Sequence, residues 1–567
     1  MDKKFSQILC SFFILLCFIF LIQNISYTYP SNAMVKVAIM DSKYTTVEKS
    51  EIVLYATSDM IVSDLKTKEE LGIIPKGAEL KINRSDGKYT LYYIEPLTEM
   101  EYEAVFDKDI SITVPNGVIG IKDLIRGGKP ALYRGEFRIV AVPDKSDKFY
   151  LINCLDVEYY LKGVVPCEMP VSFGLEALKA QAVAARVYSL TPRTKISRCY
   201  DVVDSVASQV YNGYNRESEL SNRAIDETHG IVALYNDDMI VAVFCSTAGG
   251  YTENYSETFS DPITQQFPAP VKGYLVAKPD LPDFKSLNNE EDALKFYSSK
   301  PLSYDIHSPL YRWTRTWTKD ELEKVLKSTL IVQSKTGFVE PKLTNPDDFG
   351  SLKEIKVTKR GDSGKIVFME ISTDKNTFTV GKELVIRRIF QKENKPLPSA
   401  NVVFTYTKDD NGNLTDIVAY GGGFGHGCGL SQYGAMYMAK DCKMSFDTIL
   451  KHYYNNICLG TKPVEIKNTQ IPQCFFAPSQ KAILVIPDKG LVNSLCVKIN
   501  NEDVTFNLEN KNTKQRCEID ISNYIIPNEL NSVVFYPPVY KVITHKKHHQ
   551  SQLGQQSKSL KAYIKLL

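Results

Sequence analysis

The chain has 567 residues, 43% of them hydrophobic, and a formal net charge of +2. At roughly 100–200 residues per domain, that length allows several domains with real cores. The near-neutral balance argues against a strongly basic nucleic-acid binder, and no nucleic-acid partner is expected. The 33 Tyr against 2 Trp suit a surface that stacks on sugars, and they suit a β-rich fold equally well.

At the N-terminus, Lys3 and Lys4 precede an apolar run from Ile8 to Ile22, interrupted only by Ser11. A positive flank followed by an apolar segment is the pattern of a membrane-directed leader. The run is short against the roughly 17–25 residues of a spanning helix, and extension to Ile25 reaches the lower bound. Residues 1–34 therefore read as an uncleaved membrane anchor. The alternative is a signal peptide cleaved near Ser31 and Ala33. Either reading places the rest of the chain outside the cytoplasm: a single-pass membrane protein, or a secreted one. The twelve cysteines include Cys10 and Cys17 in this run and form no C-x-x-C pair, so there is no zinc-ribbon signal.

Residues 35–148 alternate short apolar runs with Gly, Asp and Lys turns, which predicts a β-rich region. Past Phe149 the character changes. Ser172 is a candidate cap for a helix to about Leu190, stopped by Pro192. Leu175, Leu178, Ala182 and Ala185 share one face of that helix, and Lys179 and Arg186 another. Glu219–His229 reads as a helix with Gly230 past its end, and Ile231–Tyr235 with Met239–Phe244 as a hairpin. Residues 279–345 look like an insertion. Ile355–Val367 resembles a hairpin turned at Arg360-Gly-Asp-Ser-Gly364, and Ser431 and Ser445 look like caps of short helices. Residues 464–543 form a strand-like C-terminal β module. Residues 544–567 read as a solvated basic tail holding His545, His548 and His549.

The sharpest chemistry lies in Tyr160-Leu-Lys-Gly-Val-Val-Pro-Cys-Glu-Met-Pro170. Pro166 and Pro170 flank Glu168, stiffen the chain and discourage regular structure. A carboxyl on a stiff loop beside Val164, Val165 and Met169 is a poor ion, because desolvation favours its protonated form. That is the making of a general acid. A surface or helix-capping glutamate is the bland alternative.

Three blocks then agree in order with one family. Tyr160–Leu190, with Gly-Val-Val-Pro-Cys-Glu-Met-Pro and then Leu-Glu-Ala-Leu-Lys-Ala-Gln-Ala-Val-Ala-Ala-Arg, resembles the opening of the SpoIID/LytB domain. Ser246-Thr-Ala-Gly-Gly250 with Tyr251-Thr-Glu-Asn254 resembles its central stretch. Gly423-Phe-Gly-His-Gly-Cys-Gly-Leu-Ser-Gln-Tyr-Gly-Ala435 resembles its closing block. The resemblance covers about residues 149–463 and implies an α+β domain of mixed helix and sheet, here flanked by β-rich regions. It implies a peptidoglycan lytic transglycosylase, active in sporulation or wall remodelling, with Glu168 as its catalytic acid. Other family members are described as enhancers of wall amidases, so a non-catalytic partner of an amidase is the rival reading. The expected partners are glycan strands stripped of peptides, a cell-wall amidase, and membrane proteins of sporulation.

The same blocks nominate residues around the acid. Lys179, Gln181 and Arg186 offer a polar helix face for glycan carbonyls, with internal salt bridges as the alternative. Ser246 and Thr247 are read as substrate-binding hydroxyls, and Gly249 and Gly250 allow close approach of a ligand. His426, Gln432 and Tyr433 are read as lining the same cleft. Asp156, Glu158 and Glu176 look structural. Some relatives bind zinc near a Cys-Gln-Val-Tyr motif. Here the matching stretch is Ser208-Gln-Val-Tyr211, so no metal and no other cofactor is expected. Cys428 is read as packing.

Overall fold

The computed structural model describes residues 33–191, 197–280, 285–410, 412–467, 469–488, 492–508, 516–540 and 560–567. The apolar run Ile8–Ile22, Pro192 and the three histidines of the basic stretch lie outside the described residues. Among the described residues no helix is long and apolar enough to cross a membrane.

The fold is α+β and rich in strands. The N-terminal region builds two sheets. One runs Val202–Val203, Met34–Ala38, Phe149–Asp156, Glu136–Ala141, Ile110–Thr113, Met60–Asp64 and Glu70–Ile74, with Glu48–Lys49 paired beside it. The other runs from Lys129–Tyr133 to Glu101–Phe106 in six strands. Phe149–Asp156 is antiparallel to both Met34–Ala38 and Glu136–Ala141. The strand that leads into the helix carrying Glu168 is thus an inner strand of the N-terminal sheet.

Asp156 ends that strand and starts the next helix, Val157–Glu168: its carboxylate accepts the Glu158 N–H at 2.7 Å. The stiff loop expected around Glu168 is replaced by this helix. Pro166 sits in its last turn and cannot donate to the Lys162 carbonyl, which weakens the helix end, and Pro170 forces Met169 into the extended region (φ −128°, ψ 128°). The helix therefore stops at Glu168. A short 3₁₀ turn, Val171–Phe173, follows, and the long helix starts after Gly174, not at Ser172. That helix, Leu175–Leu190, is buried nearly all round from Ala177 to Val187. Its alanines let the Glu219–Asp226, Gln432–Lys440 and Phe446–Tyr453 helices pack on it.

The hairpin at Asn236-Asp237 forms, but its return arm pairs only at Asp238–Met239. Ser431 and Ser445 precede their helices without side-chain capping. Arg360–Gly364 turns a hairpin between Leu352–Arg360 and Ile366–Thr373. This hairpin belongs to a lobe with its own core, from Trp313 through Leu326, Phe378 and Ile386 to Ala419. The strand Trp313–Thr318 pairs with Leu414–Gly421, Trp313 opposite Gly421. The insertion expected at 279–345 is only the first part of this lobe, which closes where the Gly-rich segment begins.

The tail expected at 544–567 is corrected at its far end. Leu560–Leu566 is an inner strand, antiparallel to Cys458–Thr461 on one side and Ala482–Ile486 on the other. Ala562, Tyr563 and Ile564 are fully buried. The apolar residues are too few to stand out beside the basic stretch before them. The expected C-terminal module thus shares a sheet with Ile231–Tyr235, which lies within the 149–463 region.

Candidate active site

Glu168 ends its helix half-buried, next to fully buried Val164, Val165 and Met169. One carboxyl oxygen accepts the backbone N–H of Val210 at 2.6 Å. Val210 is held in turn by its neighbours. Gln209 is buried, accepts the Tyr160 hydroxyl at 3.1 Å and donates to the Ala185 carbonyl at 3.5 Å. The Tyr211 hydroxyl donates to Asn153 at 2.7 Å. The Ser208-Gln-Val-Tyr211 stretch is therefore a rigid brace for the acid. Burial pushes the Glu168 carboxyl up to about 6, and the Val210 N–H only partly opposes this. The helix C-terminus, with its partial negative charge, acts in the same direction as burial.

The helix face expected to hold glycan does other work. Arg186 is 1% exposed and forms a two-pronged pair with Glu158 at 2.8 and 2.6 Å, also donating to the Ile231 carbonyl at 3.0 Å. Burial alone would raise the Glu158 carboxyl, but Arg186 and His229 more than offset it and the net direction is down. Arg186 is thus removed from substrate contact, because an Ala-rich helix buried on all sides brings its one guanidinium inside. Lys179 is held between Glu176 at 2.8 Å and Glu227 at 2.7 Å. Gln181 is fully buried, accepts the Gln432 amide at 3.3 Å, and joins two helices instead of facing a ligand. Asp156, Glu158 and Glu176 are engaged as a cap, an ion pair, and an ion pair that also accepts the Phe446 N–H.

The second and third blocks meet backbone to backbone. Thr247 and Phe424 exchange N–H···O bonds at 3.2 and 2.9 Å. A Cβ on Gly249 would lie 2.8 Å from the Gly422 carbonyl carbon, and one on Gly423 would lie 2.7 Å from the Thr247 oxygen. Both residues have positive φ, 86° in each case. The close approach at Gly249 is thus to the other turn of the protein, while a Cβ on Gly250 would meet Phe296 at 3.1 Å and Tyr311 at 3.3 Å, so both glycines face protein in place of the expected ligand. Thr247 is 1% exposed and its hydroxyl meets that of Ser308 at 2.7 Å, so it is not a substrate contact. Ser246 is half-buried, and its carbonyl accepts the Tyr433 N–H at 3.1 Å. The Tyr433 ring packs edge-on against Phe173, 4.9 Å between centroids. Phe173 is in the 3₁₀ turn that follows Glu168. Ser246 and Tyr433 are therefore tied to the acid's segment, whereas Gln432 is buried behind them.

His426 is fixed as a neutral ring. Its Nδ1 accepts the Cys428 N–H at 3.1 Å, its ring lies 5.1 Å from Phe259, and burial, with Lys365 and Arg387 nearby, pushes it down to about 3. It is not a proton carrier near neutral pH. Cys428 is fully buried. Among the described residues no three His, Cys, Asp or Glu side chains are placed to hold a metal ion. The buried polar side chains behind the two turns, among them Glu253, Asp305 and Lys365, were not singled out from sequence. Only Glu253 lies within a quoted motif.

One half-buried carboxyl at a helix end, raised to about 6 by burial, is the candidate acid–base group of this α+β fold. Residues 145–235 match the family model described as stage II sporulation protein, which agrees with the SpoIID resemblance of the first sequence block. Residues 254–429 match a second model, described only as a domain of unknown function. The chain is similar to the amidase enhancer of Bacillus subtilis (strain 168), 32% identical over 307 residues, 52% of this chain and 39% of that protein. It is 28% identical to stage II sporulation protein D of Bacillus amyloliquefaciens over 348 residues, 59% of this chain and 81% of that protein. It is also 28% identical to stage II sporulation protein D of B. subtilis (strain 168), covering 56% of this chain and 77% of that protein.

Proposed function

We propose that this chain is a cell-wall lytic transglycosylase that cleaves the bond between N-acetylmuramic acid and N-acetylglucosamine. The observation that carries the reading is Glu168: half-buried, raised to about 6, and braced by one backbone donor. Protonated Glu168 gives its proton to the departing N-acetylglucosamine oxygen as the bond to the muramic anomeric carbon breaks. The carboxylate then takes the proton of the muramic 6-hydroxyl, whose oxygen closes on that carbon. The acid is restored, no water is consumed, and an anhydro end remains. Ordinary glycosidases need a second carboxylate. The acidic residues nearest Glu168 in sequence are committed elsewhere, which favours the single-acid route. Glycan strands already stripped of stem peptides are the proposed substrate, with an amidase as the natural supplier.

The reading has a pH signature. The acid must enter the reaction protonated, so kcat/KM on stripped glycan strands is expected to fall as pH rises through about 6. The descent approaches roughly tenfold per pH unit. A flat profile between pH 5 and 8 contradicts the assignment.

The second reading follows from the name of one relative, an amidase enhancer. In that case the chain binds the wall or an amidase without cutting glycan, and Glu168 is dispensable. For location, we propose a membrane anchor in residues 1–34 with the remainder outside, a released form being the alternative. Membrane partners in sporulation belong to the same proposal. An intact N-terminus sequenced from the membrane fraction supports the anchor, and a start near Met34 in the soluble fraction overturns it.

A further inference from the structure

The lobe that leaves the catalytic region near Asp280 and returns at Gly421 turns a row of polar groups toward the two motif turns. Asp305, fully buried, accepts the N–H groups of Gly249 at 2.7 Å and Gly250 at 3.4 Å. Arg312 donates to the Gly249 carbonyl at 3.0 Å, and Asn401, 1% exposed, donates to the Ala248 carbonyl at 3.2 Å. Ser308 meets the Thr247 hydroxyl. On the Gly-rich segment, Trp313 Nε1 donates to the Gly423 carbonyl at 3.1 Å, and the Leu310 and Pro398 carbonyls accept from Gly423 and Gly425. Lys365, fully buried, donates to the His426 carbonyl. Beside it, Ser363 donates to Glu253 from both its backbone and its hydroxyl, at 3.2 and 2.7 Å.

We infer that this lobe is the jig of the candidate site, with Asp305 and Lys365 as positioning residues that hold the Ser246–Gly250 turn against the Gly421–Gly429 segment. The two turns are rich in glycine and have little side-chain packing of their own, so their many conformations must be restricted from outside. Buried polar bonds do this with defined geometry, because each group left unpaired is penalised. Ser246 and Tyr433 inherit their places from that arrangement through the Ser246 carbonyl. A small displacement of groups that orient substrate lowers the rate steeply, up to about 10²-fold for 1 Å. The region of unknown function thereby gains a role: it shapes the site from behind and does not act as a separate binding module.

The kinetic consequence rests on the transglycosylase reading, whereas the structural claim does not. The test uses the full chain and its Asp305→Asn, Lys365→Met and Ser308→Ala variants. Hydrogen exchange of the 245–250 and 421–429 segments is measured with Tm, and kcat and KM are measured on stripped glycan strands. For Asp305→Asn and Lys365→Met, the expected result is exchange at least tenfold faster in those segments alone. Their kcat is expected to fall about tenfold or more, with KM within about twofold. Ser308→Ala, which keeps both buried charges, is expected to show a smaller change of the same kind. Unchanged local exchange overturns the inference, and so does a uniform rise in exchange with a fall in Tm, the signature of a purely structural role. Faster local exchange in the variants, together with a wild type that cleaves no glycan, leaves the jig standing and removes the transglycosylase reading.

Discussion

Glu168→Gln is expected to lower glycan cleavage by about 10²–10⁴-fold, the usual contribution of a positioned acid–base group, without loss of folding. The amide keeps the shape and can still accept the Val210 N–H, but it has no proton to transfer. Stability should also respond in a defined direction. The folded carboxyl titrates near 6 against a reference of 4.5, so the fold binds the proton more tightly than the unfolded chain does. Wild type therefore loses stability as pH rises from about 4.5 through about 6, and the variant lacks that loss. Above pH 7 the variant should melt no earlier than wild type. Cleavage within about tenfold of wild type contradicts the assignment of Glu168.

Arg186→Met should produce the largest loss of stability, about 3–5 kcal/mol, with glycan affinity unchanged in the fraction that stays folded. The substitution leaves Glu158 as a buried carboxylate without its cation, 5% exposed, with the Gly230 N–H still pointing at it. Adding Glu158→Leu removes the stranded charge, so the double variant should recover part of the loss. Thermal melting of the three proteins checks this. A single variant that melts like wild type but binds glycan poorly would return Arg186 to the substrate surface.

The apolar surroundings of Glu168 were legible in the sequence, and the reason is local. Glu168 is surrounded in the chain by the apolar residues that bury it in space, so its environment could be read from its neighbours. The helix Leu175–Leu190 was legible for the same reason. Its faces were not. Whether Arg186 points to water or to Glu158 depends on helices that arrive from residues 219–226 and 432–453, and an alanine-rich segment carries little amphipathic signal. Thr247 and Gln181 were misread likewise: hydroxyl and amide groups in a motif suit a ligand and a buried hydrogen bond equally well. Gly249 was legible as a place of close approach, but its partner Gly422 lay more than a hundred residues away. The extent of the lobe was hidden because its first strand pairs with its last.

Mass spectrometry of the products from purified, peptide-free glycan strands tests the central claim most directly. The account predicts fragments ending in anhydro-N-acetylmuramic acid from the wild-type chain and intact strands from Glu168→Gln. Fragments with ordinary reducing ends, or no cleavage by the wild-type chain, would contradict it.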